Sequence, residues 1–400
     1  MLDSVGCGEL SDAATYGDEG SDTLGNIAKQ VPLAVPRLRA LGLDRVANIG
    51  DPPAGPRPST SLRAPRAVVE GRSGPGAAYG RMAERSPGKD SVTGHWEMMG
   101  VVLERPFPTF PSGFPPEVIA EFEQRIGRGT IGNVVASGTE IIERLGAEHV
   151  KTGKPIVYTS ADSVFQIAAH EDVIPVDEQY RICKEAFEIV SRRMGVGRVI
   201  ARPFVGVAGG FTRTSNRHDY ALDPTDETLL DRLSAQGLPV VAIGKVSDLF
   251  AGRGITRSLP TLSDSDGVDQ IVEAMGDTPT GLIFANLVEF DTQFGHRNDV
   301  AGYAANLERF DERLAAVQHC LRDTDLLVIT ADHGNDPTTP STDHSREHVP
   351  LLLAGAAVRP GVDVGTRPTF ADLGQTLAAV FSVGPLRHGT SFLGDIVVHP

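Results

Sequence analysis

No apolar stretch in these 400 residues reaches the roughly 18 needed to cross a bilayer. Cysteine is scarce. Cys7, Cys183 and Cys320 lie far apart with no C-x-x-C spacing, which argues against a disulfide framework or a thiolate zinc site and suits cytosolic thiols. Basic charge is in deficit: 37 Lys and Arg stand against 52 Asp and Glu, for a net charge of −15. A broad nucleic-acid or anionic-membrane surface is therefore not expected. Internal repeats and low-complexity tails are absent, and no signal-peptide pattern opens the chain. These absences lead to the expectation of a soluble, cytoplasmic protein without nucleic-acid or membrane partners.

What is present is ordinary globular material, 40% hydrophobic, long enough for two or three domains. Residues 50–90 are rich in Pro, Gly and Arg, show neither helical nor strand period, and read as one long loop. From Pro115 the pattern predicts helices at Pro116–Ile126, Gly138–Leu145 and Asp177–Met194, with strands at Pro155–Thr159 and Arg198–Ala201. After residue 222 strand and helix alternate. Strands are expected at Pro239–Ile243, along Gly281–Phe290 and Asp325–Ala331, and at Val349–Leu353, with helices at Asp266–Met275 and Phe370–Phe381. Between them Val300, Tyr303, Leu307, Phe310, Leu314, Val317 and Leu321 recur every three or four residues, which puts them on one helical stripe. The fold class this predicts is α/β, a mainly parallel sheet flanked by helices. Residues 1–100 and 223–400 would form the core, with a smaller α+β module inserted at 101–222.

The chemistry-bearing residues follow the apolar runs. Asp291-x4-His296, Asp332-His333 and His344 form an oxygen and nitrogen donor array suited to Mn²⁺, Zn²⁺ or Mg²⁺. In open α/β sheets functional residues sit beyond the carboxyl ends of strands, where Asp291 and Asp332 are expected. One such Asp-His pair could be a strand-end cap. Several clusters together repel one another unless a cation neutralises them. Ser91, in Gly88-Lys-Asp-Ser-Val-Thr-Gly-His-Trp-Glu97, offers a hydroxyl before a short helix, where exposed N–H groups favour an anion. A metal on that hydroxyl would make it a nucleophile; its plainer use is an N-cap, and Thr93 is the competing hydroxyl. Arg202, Arg213, Arg217 and His218 are either a solvated basic loop or guanidinium forks for phosphate. Ser160 and Asp162 could read sugar hydroxyls or cap a turn. Lys245 after a strand is a further phosphate candidate, and His348 is either a support of the site or plain structure.

Together these motifs resemble the phosphopentomutases of the alkaline phosphatase superfamily. The likeness is carried by Asp3-Ser-Val-Gly, Gly20-Ser-Asp-Thr-Leu-Gly, Tyr79-Gly-Arg-Met-Ala, the Gly88–Glu97 string and Tyr158-Thr-Ser-Ala-Asp-Ser-Val. It continues through Phe211-Thr-Arg-Thr-Ser-Asn-Arg-His-Asp-Tyr, Phe290-Asp-Thr-Gln-Phe-Gly-His-Arg-Asn-Asp, Ala331-Asp-His-Gly-Asn-Asp and Thr342-Asp-His-Ser-Arg-Glu-His-Val-Pro. The resemblance implies an alkaline-phosphatase-like core with a cap domain and two divalent ions, of which manganese is expected. One ion would be held by Asp3, Asp332, His333 and the Ser91 hydroxyl, the other by Asp291, His296 and His344. It also implies a phosphorylated Ser91, a sugar bisphosphate activator, and pentose phosphates as substrates gripped by Ser160, Asp162, Arg202, Arg213, Arg217 and His218. A phosphatase of the same superfamily, or an inactive metal- or phosphosugar-binding chain, is the alternative. Two departures stand out. The family has threonine where this chain has Ser91, and an apolar strand precedes the aspartate matching Asp3. Here only Met1 and Leu2 do, so either a start set too late or a weakly held edge of the metal site is expected.

Overall fold

The computed structural model describes residues 1–51, 76–160 and 163–397. The chain divides into two compact units, the first made of Met1–Glu104, Pro224–Ser247 and Gly252–Pro400, the second of Arg105–Asp223 and Asp248–Ala251. In the first unit four helices between Ala13 and Val46 precede its first strand, β1 (Gly76–Met82). The second holds β2 (Ile131–Val135), β3 (Ile156–Thr159), β4 (Val164–His170), β5 (Arg198–Val205), β6 (Thr212–Arg213) and β7 (His218–Ala221). The first unit then resumes with β8 (Val240–Ile243), β9 (Arg257–Leu259), β10 (Leu282–Ala285), β11 (Leu327–Ile329), β12 (Val349–Gly355) and β13 (Val362–Arg367).

The first unit has the α/β character expected, with helices beside its sheets. Three strands in the order β10-β8-β9 are all parallel. Their sequences, Leu-Ile-Phe-Ala and Val-Val-Ala-Ile in β10 and β8, are apolar at every position, as parallel strands covered on both faces must be. The other sheet has the order β11-β12-β1-β13 and is mixed: β12 runs antiparallel to both β11 and β1, and β1 is parallel to β13. The first residues of the chain lie between the two sheets. Leu2 bridges Leu287 in parallel register, and its N–H donates to the Thr330 carbonyl at 2.8 Å. The Met1 ammonium donates to the Ala285 carbonyl at 2.7 Å, and burial lowers its pKa to about 6. The stripe read from the sequence is buried on the helix Val300–Cys320, through Tyr303, Leu307, Phe310, Leu314 and Val317.

Two expectations are corrected. Residues 50–90 are not one loop, because β1 lies among them; residues 52–75 fall outside the described residues. Its Gly-Ala-Ala-Tyr-Gly-Arg-Met sequence has weak strand propensity, and pairing on both sides overrides it. The small residues are required there, since a Cβ on Gly80 would come within 2.5 Å of Val364 Cγ2 and 2.6 Å of the Gly365 carbonyl oxygen. The run Gly281–Phe290 is likewise not a continuous strand. It is strand only to Ala285, after which Asn286 turns its amide into the interior and Phe290–Phe294 closes a single π-helical turn, a device common at functional positions.

In the second unit the sheet has the order β2-β3-β4-β5-β6, with β7 also on β5. Its side chains alternate between two cores. Phe165, Ile167 and Val157 pack with Phe114, Phe122 and Ile182, while Ile156, Tyr158 and Ala168 pack with Ile141, Ile142 and Phe204. The helices Pro116–Ile126 and Val176–Ala186 thus cover one face and Gly138–Thr152 the other. Phe165 is fully buried, 4.6 Å from the Phe114 ring and 5.2 Å from Phe122. Phe165→Ala is expected to destabilise this unit by about 3–5 kcal/mol, read from the midpoint of chemical denaturation.

Candidate metal centre

Three aspartates converge where strands of the first unit end. Asp291 follows β10 in the π-helical turn, Asp332 follows β11 by three residues, and Asp3 lies between them because Leu2 is tied to Leu287 and Thr330. Asp3 and Asp332 have no solvent exposure and Asp291 only 3%. His333 Nε2 lies 3.5 Å from Asp3 Oδ1, 3.4 Å from Asp332 Oδ2 and 3.1 Å from Ser91 Oγ. A second group forms around Asp291, whose Oδ2 is 3.2 Å from His296 Nε2 and whose Oδ1 is 3.3 Å from His344 Nε2. The ligand atoms of Asp291, His296 and His344 lie within 4.8 Å of one another, as do those of Asp3, Asp291 and His333.

The imidazoles are oriented alike. His296 Nδ1 meets the Thr342 carbonyl at 2.6 Å, His344 Nδ1 that of Lys89 at 2.9 Å, and His333 Nδ1 that of Gly334 at 3.0 Å. Each Nδ1–H donates to a carbonyl, which fixes the tautomer and turns the Nε2 lone pair toward the carboxylates, the arrangement that metal-binding histidines adopt. Neither oxygen of Asp3 has a hydrogen-bond partner among the described residues. Burial, then the charges of Asp332 and Asp291, raise the Asp3 carboxyl well above its ordinary range. Burial opposes ionisation of the other two, yet His333 and His95 hold Asp332 low, and His344 and His296 hold Asp291 low. Three buried carboxylates at this spacing call for compensating positive charge, and the oxygen and nitrogen donors present fit divalent cations.

Ser91 is the first residue of the helix Ser91–Met98. Asp90 caps it, accepting from the amides of Val92 and Thr93 at 3.0 and 3.1 Å. The Thr93 hydroxyl is committed to the same cap, 2.5 Å from Asp90 Oδ2, so of the two candidate hydroxyls it is Ser91 that reaches the cluster. The helix lies close against the aspartate cluster: a Cβ on Gly94 would come within 2.1 Å of the Asp332 carbonyl oxygen. His95 fastens the contact, with Nδ1 2.7 Å from the Ser91 carbonyl and 3.2 Å from Asp332 Oδ2, and Nε2 facing the Asn286 amide at 3.1 Å.

Comparison with known proteins gives the family. The metalloenzyme superfamily profile matches residues 1–385. A phosphopentomutase of Desulfitobacterium hafniense is 54% identical over 400 residues, covering 99% of this chain and 98% of that protein. Those of Caldanaerobacter subterraneus subsp. tengcongensis and Acetivibrio thermocellus are 52% and 53% identical, each covering 99% of this chain and 96% and 98% of their own lengths. The chain belongs to the phosphopentomutase family. It is an enzyme of the isomerase class, an intramolecular phosphotransferase.

The other residues expected in a phosphopentomutase site divide between the units. Lys245, just beyond β8, is close enough for its charge to oppose the rise of the Asp3 pKa. Ser160, Arg202, Arg213, Arg217 and His218 belong to the second unit, and Asp162 lies outside the described residues. Arg202 on β5 donates to Gln166 Oε1 at 3.2 Å, and Arg217 is paired with Asp219 at 2.7 and 2.6 Å. The His218 ring lies 5.1 Å from Tyr180 and 4.5 Å from Tyr220. Arg202, Arg213 and Arg217 all act electrostatically on Tyr158, whose buried hydroxyl has no hydrogen-bond partner among the described residues. His348 is not in the cluster; its Nδ1 faces the Gly8 carbonyl at 3.2 Å.

Several supporting residues escaped sequence reasoning although they lie inside the same motifs. The Asn335 amide donates to Asp291 Oδ1 at 3.1 Å, and the Ser4 N–H, from a left-handed φ of 69°, donates to Asp332 Oδ1 at 3.1 Å. Glu347 is buried and accepts from the Thr23 N–H and hydroxyl and the Ser345 hydroxyl at 2.9, 2.7 and 2.6 Å.

Two outcomes are expected. Gly94→Ala should drive the helix off Asp332 and weaken divalent-metal affinity by about 10- to 100-fold, measured by metal titration. Burial raises the Glu347 pKa to about 7 against an ordinary 4.5. A carboxyl raised on folding favours the folded state below its unfolded pKa, and that contribution is lost as pH rises to the folded value. Between pH 4.5 and about 7, Glu347 should thus remove about 3 kcal/mol of stability. Urea unfolding across that window should show the decline, and Glu347→Gln should abolish its slope.

Proposed function

We propose that this enzyme interconverts pentose 1-phosphates and pentose 5-phosphates, of ribose or 2-deoxyribose, through a phosphorylated Ser91. The observation that carries the reading is the Ser91 hydroxyl, 3.1 Å from His333 Nε2 at the first turn of a helix that abuts the aspartate cluster. Asp3, Asp332, His333 and Ser91 are assigned to one divalent ion, and Asp291, His296 and His344 to a second, manganese in our reading. Such ions neutralise phosphoryl oxygens and favour deprotonation of the serine hydroxyl.

Phospho-Ser91 gives its phosphoryl group to the free hydroxyl of the sugar phosphate. The bond from phosphorus to Ser91 Oγ breaks as that to the sugar oxygen forms, and the proton lost by the sugar hydroxyl ends on the freed Ser91 Oγ. The resulting 1,5-bisphosphate reverses its orientation and returns its other phosphoryl group to Ser91. Amides at the helix start and the Lys245 ammonium favour the anion. Ser160, Asp162, Arg202, Arg213, Arg217 and His218 are assigned to the sugar hydroxyls and the phosphate that is not reacting, since guanidinium forks suit phosphate oxygens. A hydrolase has no comparable need for a second phosphate grip, which favours mutase over phosphatase. Water must be kept from phospho-Ser91, or turnover ends in hydrolysis. A sugar bisphosphate is the proposed primer, and a cytoplasmic location fits the charge and thiol content; no helix among the described residues is long and apolar enough to cross a membrane.

The test is conversion of ribose 1-phosphate to ribose 5-phosphate with Mn²⁺, with and without trace sugar bisphosphate, scoring free phosphate alongside. Isomerisation without phosphate release is expected, and release alone would replace the mutase by a phosphatase. Ser91→Ala should lower the rate by about 10³-fold or more, whereas Ser91→Thr should retain turnover.

A further inference from the structure

Tyr158, in the second unit, is a buried polar side chain aimed without a partner at the start of a helix. It stands on β3 with no solvent exposure, and its ring packs with Ile141 and Ile142 of the helix Gly138–Thr152. Its hydroxyl meets no hydrogen-bond partner among the described residues, and an unmet polar group in the interior is costly to keep. The hydroxyl borders the space that the first side chain of the helix would fill. A Cβ on Gly138 would come within 2.8 Å of Tyr158 Oη and 3.6 Å of Arg213 Nη1. Glycine leaves that space open between a phenol, a guanidinium and the first amides of a 15-residue helix.

The helix start is only partly capped. Ser137 Oγ accepts from the Glu140 amide at 3.3 Å, while the amides of Gly138 and Thr139 meet no acceptor among the described residues. The Glu140 carboxylate turns along the helix to Arg144, 3.6 Å away. Arg213 is held in place by its own hairpin. β6 pairs it with Phe204, and Phe211 packs 5.2 Å from the Phe204 ring and against Gly146, where a Cβ would come within 2.5 Å of the Phe211 ring. Burial raises the Tyr158 pKa against the opposing charges of Arg202, Arg213 and Arg217, so the hydroxyl stays protonated and can donate. Donors therefore converge on one small space from a phenol, two amides and a guanidinium, and the oxygens of an anion can accept from all of them.

We propose that Tyr158 is a phosphate ligand, forming with the Gly138 and Thr139 amides and Arg213 the pocket for the phosphate that is not being transferred; the assignment rests on the mutase reading above. The test compares Tyr158→Phe and Gly138→Ala with the wild-type full chain in Mn²⁺, by calorimetric titration with ribose 5-phosphate and by steady-state kinetics. Each variant is expected to weaken ribose 5-phosphate binding by about 10-fold or more, the worth of a hydrogen bond to a charged group. KM should rise with little change in kcat, as loss of uniform binding requires, and Mn²⁺ affinity should not change. The thermal midpoint of Tyr158→Phe should hold or rise, since an unmet hydroxyl is removed. Wild-type affinity in both variants would overturn the proposal. So would a lowered midpoint in Tyr158→Phe, which would give the hydroxyl to folding. Failure of the mutase reading would show separately, as phosphate release by the wild-type chain, with the titration still deciding the pocket.

Discussion

Packing Asp3, Asp291 and Asp332 out of water within one small volume is the constraint to which the rest of the first unit answers. Three carboxylates cannot share such a space without positive charge or protons to offset them. Around them the chain supplies imidazoles, the Lys245 ammonium and amide donors from Asn335 and Ser4. Asp3 is raised by burial and then by the charges of Asp332 and Asp291, while imidazoles hold Asp332 and Asp291 low against the same burial. The strands bring the acids together, and the loops beyond them furnish what makes the proximity tolerable.

Precision is added by contacts that permit no side chain or only one orientation. Gly94 lets the helix backbone touch that of Asp332, and His95 links the Ser91 carbonyl to Asp332 and Asn286. The nucleophile candidate and one set of candidate metal ligands are therefore parts of one packed body, fixed by geometry rather than by the strength of any single bond.

Much of this was legible in the sequence because the signals were local. Asp332-His333 ends an apolar strand, the 300–320 helix carries its stripe openly, and the metal-ligand types are distinctive. β1 was not legible, since glycine and alanine there answer to neighbours that only the fold supplies. The break after Ala285 was hidden for the same reason: Asn286-Leu-Val-Glu-Phe looks like more strand, and only the bridge to Leu2 and the reach of Asn286 to His95 end it. The Tyr158 hydroxyl and Glu347 were overlooked because burial, not residue type, makes them chemically unusual.

The Lys89 carbonyl that holds His344 belongs to the same short segment that delivers Ser91 to His333. The two candidate ligand sets thus share a mechanical support, beyond sharing Asp291 as a neighbour. Under the two-ion assignment proposed above, ordering that segment for one ion would lower the entropy left to lose for the second, and the two affinities would be coupled reciprocally.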